Sequence, residues 1–228
     1  MEKMISAVLT SFNSEKFISD SIESVLIQPE VNELIVVDDA STDHSVGIIL
    51  ELAKTDSRVK LVELQRNQGI ANARNVGISN TRSEWIRSID ADDAWIPGSC
   101  GLLLKLCNKN KADSAMGTAE NFLDLKNSRS VPSWIRQEWL EGPQPGWLNL
   151  GTLLINRKLF TEIGLFDTNI QSGADDFDWF TRFKSQKINY TTTNTIVYKR
   201  RLHFNNFSSG AKPNLYNDML ISVRKYLK

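Results

Sequence analysis

No apolar run in this chain approaches the roughly 20 residues needed to cross a bilayer as a helix. That excludes a helical membrane span within these residues. Cysteine is scarce, with only Cys100 and Cys107 among 228 residues. If they share the helix expected there, their seven-residue spacing gives a rise of about 10 Å. A disulfide needs Cα atoms within about 7 Å, so the pair is too far apart to bridge. Two unpaired thiols point to a reducing compartment, and small apolar helix residues need no further role. Charge of one sign is also missing: 27 basic residues balance 27 acidic ones. A zero formal charge gives no global pull toward nucleic acid, and none is expected as a partner. Met1-Glu2-Lys3-Met4 enters a strand-like segment without the apolar core of a signal peptide. A cytoplasmic location is expected, with peripheral association at the inner face of the membrane left open.

What is present is an ordinary globular composition, 41% hydrophobic and 24% charged. The first hundred residues alternate strand and helix patterns. Ile5 to Thr10 is a short apolar strand. Ile18, Ile22, Val25 and Leu26 recur on one helical face. Leu34 to Val37 reads as a buried strand, and Val46, Ile49, Leu50 and Ala53 again have helical spacing. Val59 to Leu64 is a third strand, Ile70 to Ile78 a short helix and Trp85 to Ile89 a fourth strand. Such alternation implies a mostly parallel α/β sheet covered on both faces. Ligands of such sheets lie beyond the carboxyl ends of the strands.

The second half changes character. Lys109 to Asp113 is expected as a loop and Met116 to Leu125 as a strand. Residues 127–145 read as a long irregular excursion carrying three prolines. Leu150 to Ile155 reads as a strand, and Arg157 to Ile163 as a helix stopped by Gly164. A helix from Asp175 to Lys184, an extended run from Asn189 to Tyr198 and a helix from Tyr216 to Leu227 complete the pattern. There is no internal repeat.

The most informative stretch is Ser88-Ile89-Asp90-Ala91-Asp92-Asp93. An apolar segment runs straight into three carboxylates, whose like charges repel. The simplest offset is a divalent cation. Mg²⁺ and Mn²⁺ prefer oxygen ligands, commonly one or two carboxylates plus substrate phosphates. Asp38-Asp39-Ala40-Ser41-Thr42-Asp43 follows a buried strand. There Asp43 can serve as a helix N-cap. Asp39 either meets a base or ribose or belongs to a plain acidic turn. Arg74 either meets a phosphate or base or is a surface arginine.

Gly173-Ala174-Asp175-Asp176 opens a helix, where acids favour the dipole without any function. Yet Asp176, Phe180 and Phe183 share one stripe, so the Asp176 carboxylate points inward or into a cleft. Asp178 and Arg182, four apart, read as a surface pair, and His44 as a surface residue. Lys199-Arg200-Arg201-Leu202-His203 follows the extended run. It is either a solvated edge or a neutraliser of a leaving diphosphate.

Taken together, these residues resemble the family 2 glycosyltransferases of the GT-A fold. The features occur in that family's order: Thr10-Ser11-Phe12-Asn13, Leu34 to Asp43, Asn67-x-Gly69 with Ala73-Arg74-Asn75, and Asp90-Ala91-Asp92-Asp93 with Trp95 and Pro97-Gly98. Gly151-Thr152, Arg157, Phe160, Gly164 to Asp167, and Asp175-Asp176 with Arg182 come after them. The resemblance implies one Rossmann-like GT-A domain over residues 1–228, with a nucleotide-binding half at 1–98 and an acceptor-binding half at 99–228. It implies nucleotide contacts from Thr10, Phe12, Asn13, Asp38, Asp39, Asn67, Gly69, Arg74, Asp90 and Ala91. Mn²⁺ or Mg²⁺ would be held by Asp92, with Asp90 and His203 beside it. Asp176 matches the family's catalytic base. Gly151, Thr152, Trp147 and Asp175 fall to the acceptor.

The activity implied by the resemblance is an inverting transfer of sugar from a nucleoside-diphosphate sugar, UDP-linked by family frequency, to a saccharide or lipid-linked acceptor. Two departures matter. Asp175-Asp176 stands where the family more often has Glu-Asp, and the Gln-x-x-Arg-Trp motif of processive synthases is absent. A non-processive enzyme of cell-surface polysaccharide or glycoconjugate synthesis is therefore expected. Trp134, Trp139 and Trp147 either line the acceptor pocket or belong to the core. A nucleotidyltransferase of similar fold is disfavoured because no glycine-rich phosphate loop succeeds the first strand. A non-catalytic sugar-nucleotide-binding scaffold is the remaining alternative.

Overall fold

The computed structural model describes residues 5–124, 132–146, 149–170, 172–204, 206 and 214–226. Trp147 lies outside the described residues. Among the described residues, eight strands form one sheet: β1 (Ile5–Ser11), β2 (Val31–Asp38), β3 (Val59–Glu63), β4 (Trp85–Asp90), β5 (Ala94–Trp95), β6 (Ser114–Leu123), β7 (Leu153–Asn156) and β8 (Tyr190–Leu202). The helices are α1 (Ile18–Leu26), α2 (Ser45–Thr55), α3 (Ile70–Ser79), α4 (Ser99–Asn110), α5 (Lys158–Glu162), α6 (Asp175–Ser185) and α7 (Leu215–Tyr226). The strand order is β3-β2-β1-β4-β7-β6-β8-β5. The first half supplies the parallel run β3-β2-β1-β4. The second half breaks the pattern: β7 is antiparallel to both β4 and β6, and β5 to β8, while β6 and β8 are parallel.

Both faces of the sheet are covered, and β1 shows why its residues are apolar throughout. Ile5, Ala7 and Leu9 face α1 and α4, with Ile18, Ile22, Val25, Leu103 and Cys107 in the same cluster. Val8 joins the opposite cluster of Ile86, Met116, Leu159, Phe160, Trp179 and Phe183. Period-2 alternation sends successive side chains to opposite faces, so a doubly covered strand reads as one apolar run. Cys100 and Cys107 are buried free thiols on α4.

Several local expectations are corrected. Helix α4 continues to Asn110, into the span expected as loop. Leu150 to Thr152 form a 3₁₀ turn, and the strand begins only at Leu153. Its cause is local: the Asn149 side chain accepts the Gly151 N–H at 2.8 Å and bends the backbone. Strand β8 runs four residues past Tyr198, so Lys199, Arg200 and Arg201 lie within it. Asp178 and Arg182 are not a surface pair. The Arg182 Nε donates to Asp178 at 2.9 Å with both side chains largely buried. The same guanidinium donates to the carbonyls of Ile163 and Leu165, closing the turn at Gly164. Asp43 lies one residue ahead of the N-cap position, which His44 occupies, yet its carboxylate takes the Ser45 N–H at 2.9 Å.

Arg87, in the middle of β4, is fully buried. Its guanidinium donates to the Val197 carbonyl at 2.7 Å, the Gly151 carbonyl at 3.2 Å and the Ser99 hydroxyl at 2.7 Å. It also lies 4.3 Å from the Trp95 ring centroid. A buried cation must be hydrogen-bonded to persist, and here it ties β4, β8, α4 and the 3₁₀ turn together. Gly151 completes that junction, since a Cβ there would lie 1.9 Å from the Tyr198 ring. Gly151→Ala is therefore expected to cost about 2–3 kcal/mol by overpacking, lowering the thermal midpoint by several degrees. An unchanged denaturation curve would show that Tyr198 can move aside.

Candidate active site

One cleft of about 700 Å³ opens beyond the carboxyl ends of β1, β2 and β4. It is lined by Thr10, Phe12, Asn13, Asp39, Asn67, Gly69, Arg74, Asp90, Ala91, Asp92, Asp175, Asp176 and His203. Asp38, Gly151 and Thr152 are not at its wall. Asp38 is turned into its own loop, where it accepts the Ser41 N–H at 2.8 Å and the Ser41 hydroxyl at 2.6 Å. The Thr152 hydroxyl donates to the Gly146 carbonyl behind the cleft, and Asn149 and Leu150 line it instead. Trp134 and Trp139 pack against each other, ring centroids 6.0 Å apart, and are not among the lining residues.

The β1–α1 and β2–α2 loops close one end of the cleft by reciprocal bonds. The Asn13 N–H donates to the Ser41 hydroxyl, and the Asn13 side chain accepts the Thr42 N–H, both at 2.8 Å. Asp43 accepts the Glu15 N–H at 3.0 Å, while Glu15 accepts that of His44 at 3.0 Å. Asp39 uses both carboxylate oxygens on the N–H groups of Gln68 and Gly69, each at 2.8 Å. Gly69 has φ 87°, a left-handed conformation that costs glycine nothing. Three strand-end loops are thereby stitched into one rim.

The Asp90–Asp93 turn carries three carboxylates, and each has its own partner. Asp90 accepts from Arg74 Nη2 at 3.2 Å. One oxygen of Asp92 lies 3.0 Å from His203 Nε2 and 3.1 Å from the Asn206 amide, which donates to it. The other has no partner among the described residues. Asp93 accepts the Tyr198 hydroxyl and the Arg201 N–H, both at 2.7 Å. Burial raises the pKa of Asp90, with Asp92 adding to the rise and Arg74 opposing it. Asp93 is pushed well above the usual range by burial and by its two acidic neighbours.

Arg74 joins this turn to the far wall. It is buried and donates to Asp175 at 2.6 Å as well as to Asp90. Burial alone would lower its pKa, but Asp175, Asp90 and Asp176 more than offset that and raise it. Asp175 is thus an ion-pair partner held just inside the cleft, and Asp176 is the acid of α6 left facing it. Burial, then the like charge of Asp175, raises the Asp176 pKa to about 6 against the pull of Arg74 and the Phe177 N–H. A carboxylate poised there can take or hold a proton near neutral pH.

The sequence reading missed Asn206 at the cleft, Arg87 behind it and the Tyr198–Asp93 bond. No periodicity marks a polar residue whose partner is 100 positions away. Alternation inside β8 does separate Arg200, which lines the cleft, from Arg201, which is buried. Among the described residues no three His, Cys, Asp or Glu side chains form a ready-made cation cage. No described helix is long and apolar enough to cross a membrane.

Comparison with known proteins gives this geometry a context. The family model "Glycosyl transferase family 2" matches residues 6–187. The chain is 29% identical over 214 residues to the Escherichia coli UDP-Glc:alpha-D-GlcNAc-diphosphoundecaprenol beta-1,3-glucosyltransferase WfgD, covering 91% of this chain and 80% of that protein. It is 32% identical over 123 residues to the glycosyltransferase GlyG of Streptococcus pneumoniae, covering 54% of this chain and 41% of GlyG. The matched stretch spans less than half the length of several curated relatives. A crystal structure of residues 1–349 of Staphylococcus aureus TarS with UDP-GlcNAc superposes with a TM-score of 0.77 at 20% identity, covering 99% of this chain and 66% of that one. That likeness gives the fold, the GT-A architecture. With residues 6–187 matched by the family model, the protein belongs to glycosyl transferase family 2.

Proposed function

We propose that this chain is an inverting, non-processive glycosyltransferase. It moves a sugar from a nucleoside-diphosphate sugar, UDP-linked, to a hydroxyl of a saccharide or lipid-linked acceptor. Cell-surface polysaccharide or glycoconjugate synthesis is its setting. The observation that carries this reading is Arg74, which bonds Asp90 at one wall and Asp175 at the other. It sets the acidic turn and the neighbouring Asp176 across a single cleft. The solved TarS fragment with UDP-GlcNAc and the name of WfgD support a UDP-sugar donor. A lipid-linked acceptor would bring the enzyme to the membrane surface.

Mn²⁺ or Mg²⁺ fits the donor set of the turn. Such ions take one or two carboxylates and fill their remaining positions with phosphate and water. Asp92, with one oxygen unpartnered among the described residues, would hold the ion, with Asp90 and His203 beside it. When bound, the cation supplies charge neutralisation for the leaving diphosphate. Asp92→Ala is expected to abolish the gain in UDP-dependent thermal stabilisation that Mn²⁺ brings. An equal metal response in both proteins would place the cation elsewhere.

Ionised Asp176 takes the acceptor hydroxyl proton as that oxygen attacks the anomeric carbon and the bond to the diphosphate breaks. General-base assistance is worth about 10²–10⁴-fold. Asp176→Asn should therefore lower kcat by about that factor and leave UDP affinity intact. A mutant with most of the wild-type kcat would remove Asp176 from this role.

The base works only when deprotonated, so kcat should fall as pH drops through about 6 along a one-proton limb. Asp175→Asn removes the like charge beside the base. Its limb should move to lower pH, and a limb that stays put would assign the titration to another group.

A further inference from the structure

Asp93 and Tyr198 have no part in the chemistry proposed above, yet they form a buried polar pair, one at the cleft wall and one behind it. Asp93 is 3% exposed and Tyr198 is fully buried. Although Asp93 lines the cleft, both of its oxygens already accept from β8, one from the Tyr198 hydroxyl and one from the Arg201 N–H, each at 2.7 Å. The Tyr198 oxygen in turn lies 3.5 Å from the Asp90 N–H, which donates to it. One phenol thus touches both ends of the four-residue turn that carries Asp90 and Asp92.

The rest of the surroundings hold the same turn by its backbone. The Ser21 hydroxyl of α1 lies 2.7 Å from the carbonyl oxygens of both Ala91 and Asp93. Arg201 Nε donates to the Asp92 carbonyl at 2.9 Å. The phenol ring itself is fixed, because it packs against the bare Cα of Gly151. Strand β8, helix α1 and the 3₁₀ turn therefore converge on four residues, with Tyr198 linking β8 directly to an acid side chain.

We infer that Tyr198 and Asp93 form a positioning pair that holds the Asp90–Asp93 turn in the geometry needed to present Asp92 to a cation-bound diphosphate. The inference rests on the proposed function and deepens it. Neither residue touches substrate in this scheme; both act through the turn. Groups that orient metal ligands in this way typically change metal affinity or activity by about 10–100-fold when removed.

The test uses the full chain with Mn²⁺ and UDP as probes. Tyr198→Phe keeps the ring against Gly151 and deletes only the hydroxyl. Calorimetric titration gives UDP affinity with and without Mn²⁺, and electron paramagnetic resonance counts free Mn²⁺. The expected result is an about 10-fold or greater weakening of Mn²⁺-supported UDP binding, with metal-free UDP affinity unchanged. Asp93→Asn keeps one acceptor and should fall between wild type and Tyr198→Phe, which guards against a variant that merely folds badly. A Tyr198→Phe protein that binds Mn²⁺ and UDP like wild type would overturn the inference. So would equal losses with and without metal, the signature of a purely structural role. If wild type itself binds no UDP with Mn²⁺, the functional reading fails and this inference falls with it.

Discussion

Crowding of like charge is the constraint on which this site depends. Asp90, Asp92 and Asp93 sit in one turn, and Asp175 and Asp176 approach from α6. Carboxylates so close cannot all ionise in a low-dielectric setting unless each is offset. The fold assigns a partner to nearly every one: Arg74 to both Asp90 and Asp175, His203 and Asn206 to Asp92, Tyr198 and a backbone N–H to Asp93. Asp176 is left with only the adjacent Phe177 N–H among the described residues and feels the remaining negative charge. Burial first, and then that charge, raise its pKa to about 6.

That balance explains why the two halves of the chain cannot be separated at the site. Arg74 comes from the parallel half and Asp175 from α6, 101 positions later. Tyr198 and Arg201 reach the Asp90–Asp93 turn from β8. Truncating one partner of a buried charged pair leaves the other uncompensated, which costs far more than the pair contributes when whole. The buried Arg87, held by second-half carbonyls from its place on β4, serves the same junction from beneath.

Much of the architecture was legible in advance. Strands β1 to β4 and helices α1 to α3 announce themselves because burial on both faces or along one stripe demands a repeated apolar pattern. The positions of Asp39, Asp90, Asp92 and Asp176 at strand ends or a helix start emerged from the same patterns. The failures are also instructive. Leu150-Gly151-Thr152 runs straight into an apolar strand, but the Asn149 side chain takes the Gly151 N–H and the Thr152 N–H and hydroxyl return to the Asn149 carbonyl, which bends it. Asp178 and Arg182 have the spacing of a surface pair, but α7 packs on α6 there, with the Ser222 hydroxyl donating to Asp178 at 2.7 Å.

The amino-acid sequence by itself determined the α/β alternation, the sheet ends where polar residues gather, and the residue types available for chemistry. Those depend on local periodicity and composition, which are properties of neighbours in the chain. Tertiary structure alone decided which acids are paired and which stay available in the cleft. Asp38 and Asp39 are adjacent, yet one turns into its loop and the other reaches the rim. Asp175 and Asp176 are adjacent, yet one is locked to Arg74 and the other stays available. Charge balance and burial depend on distances between residues remote in sequence, and only the folded chain sets those distances.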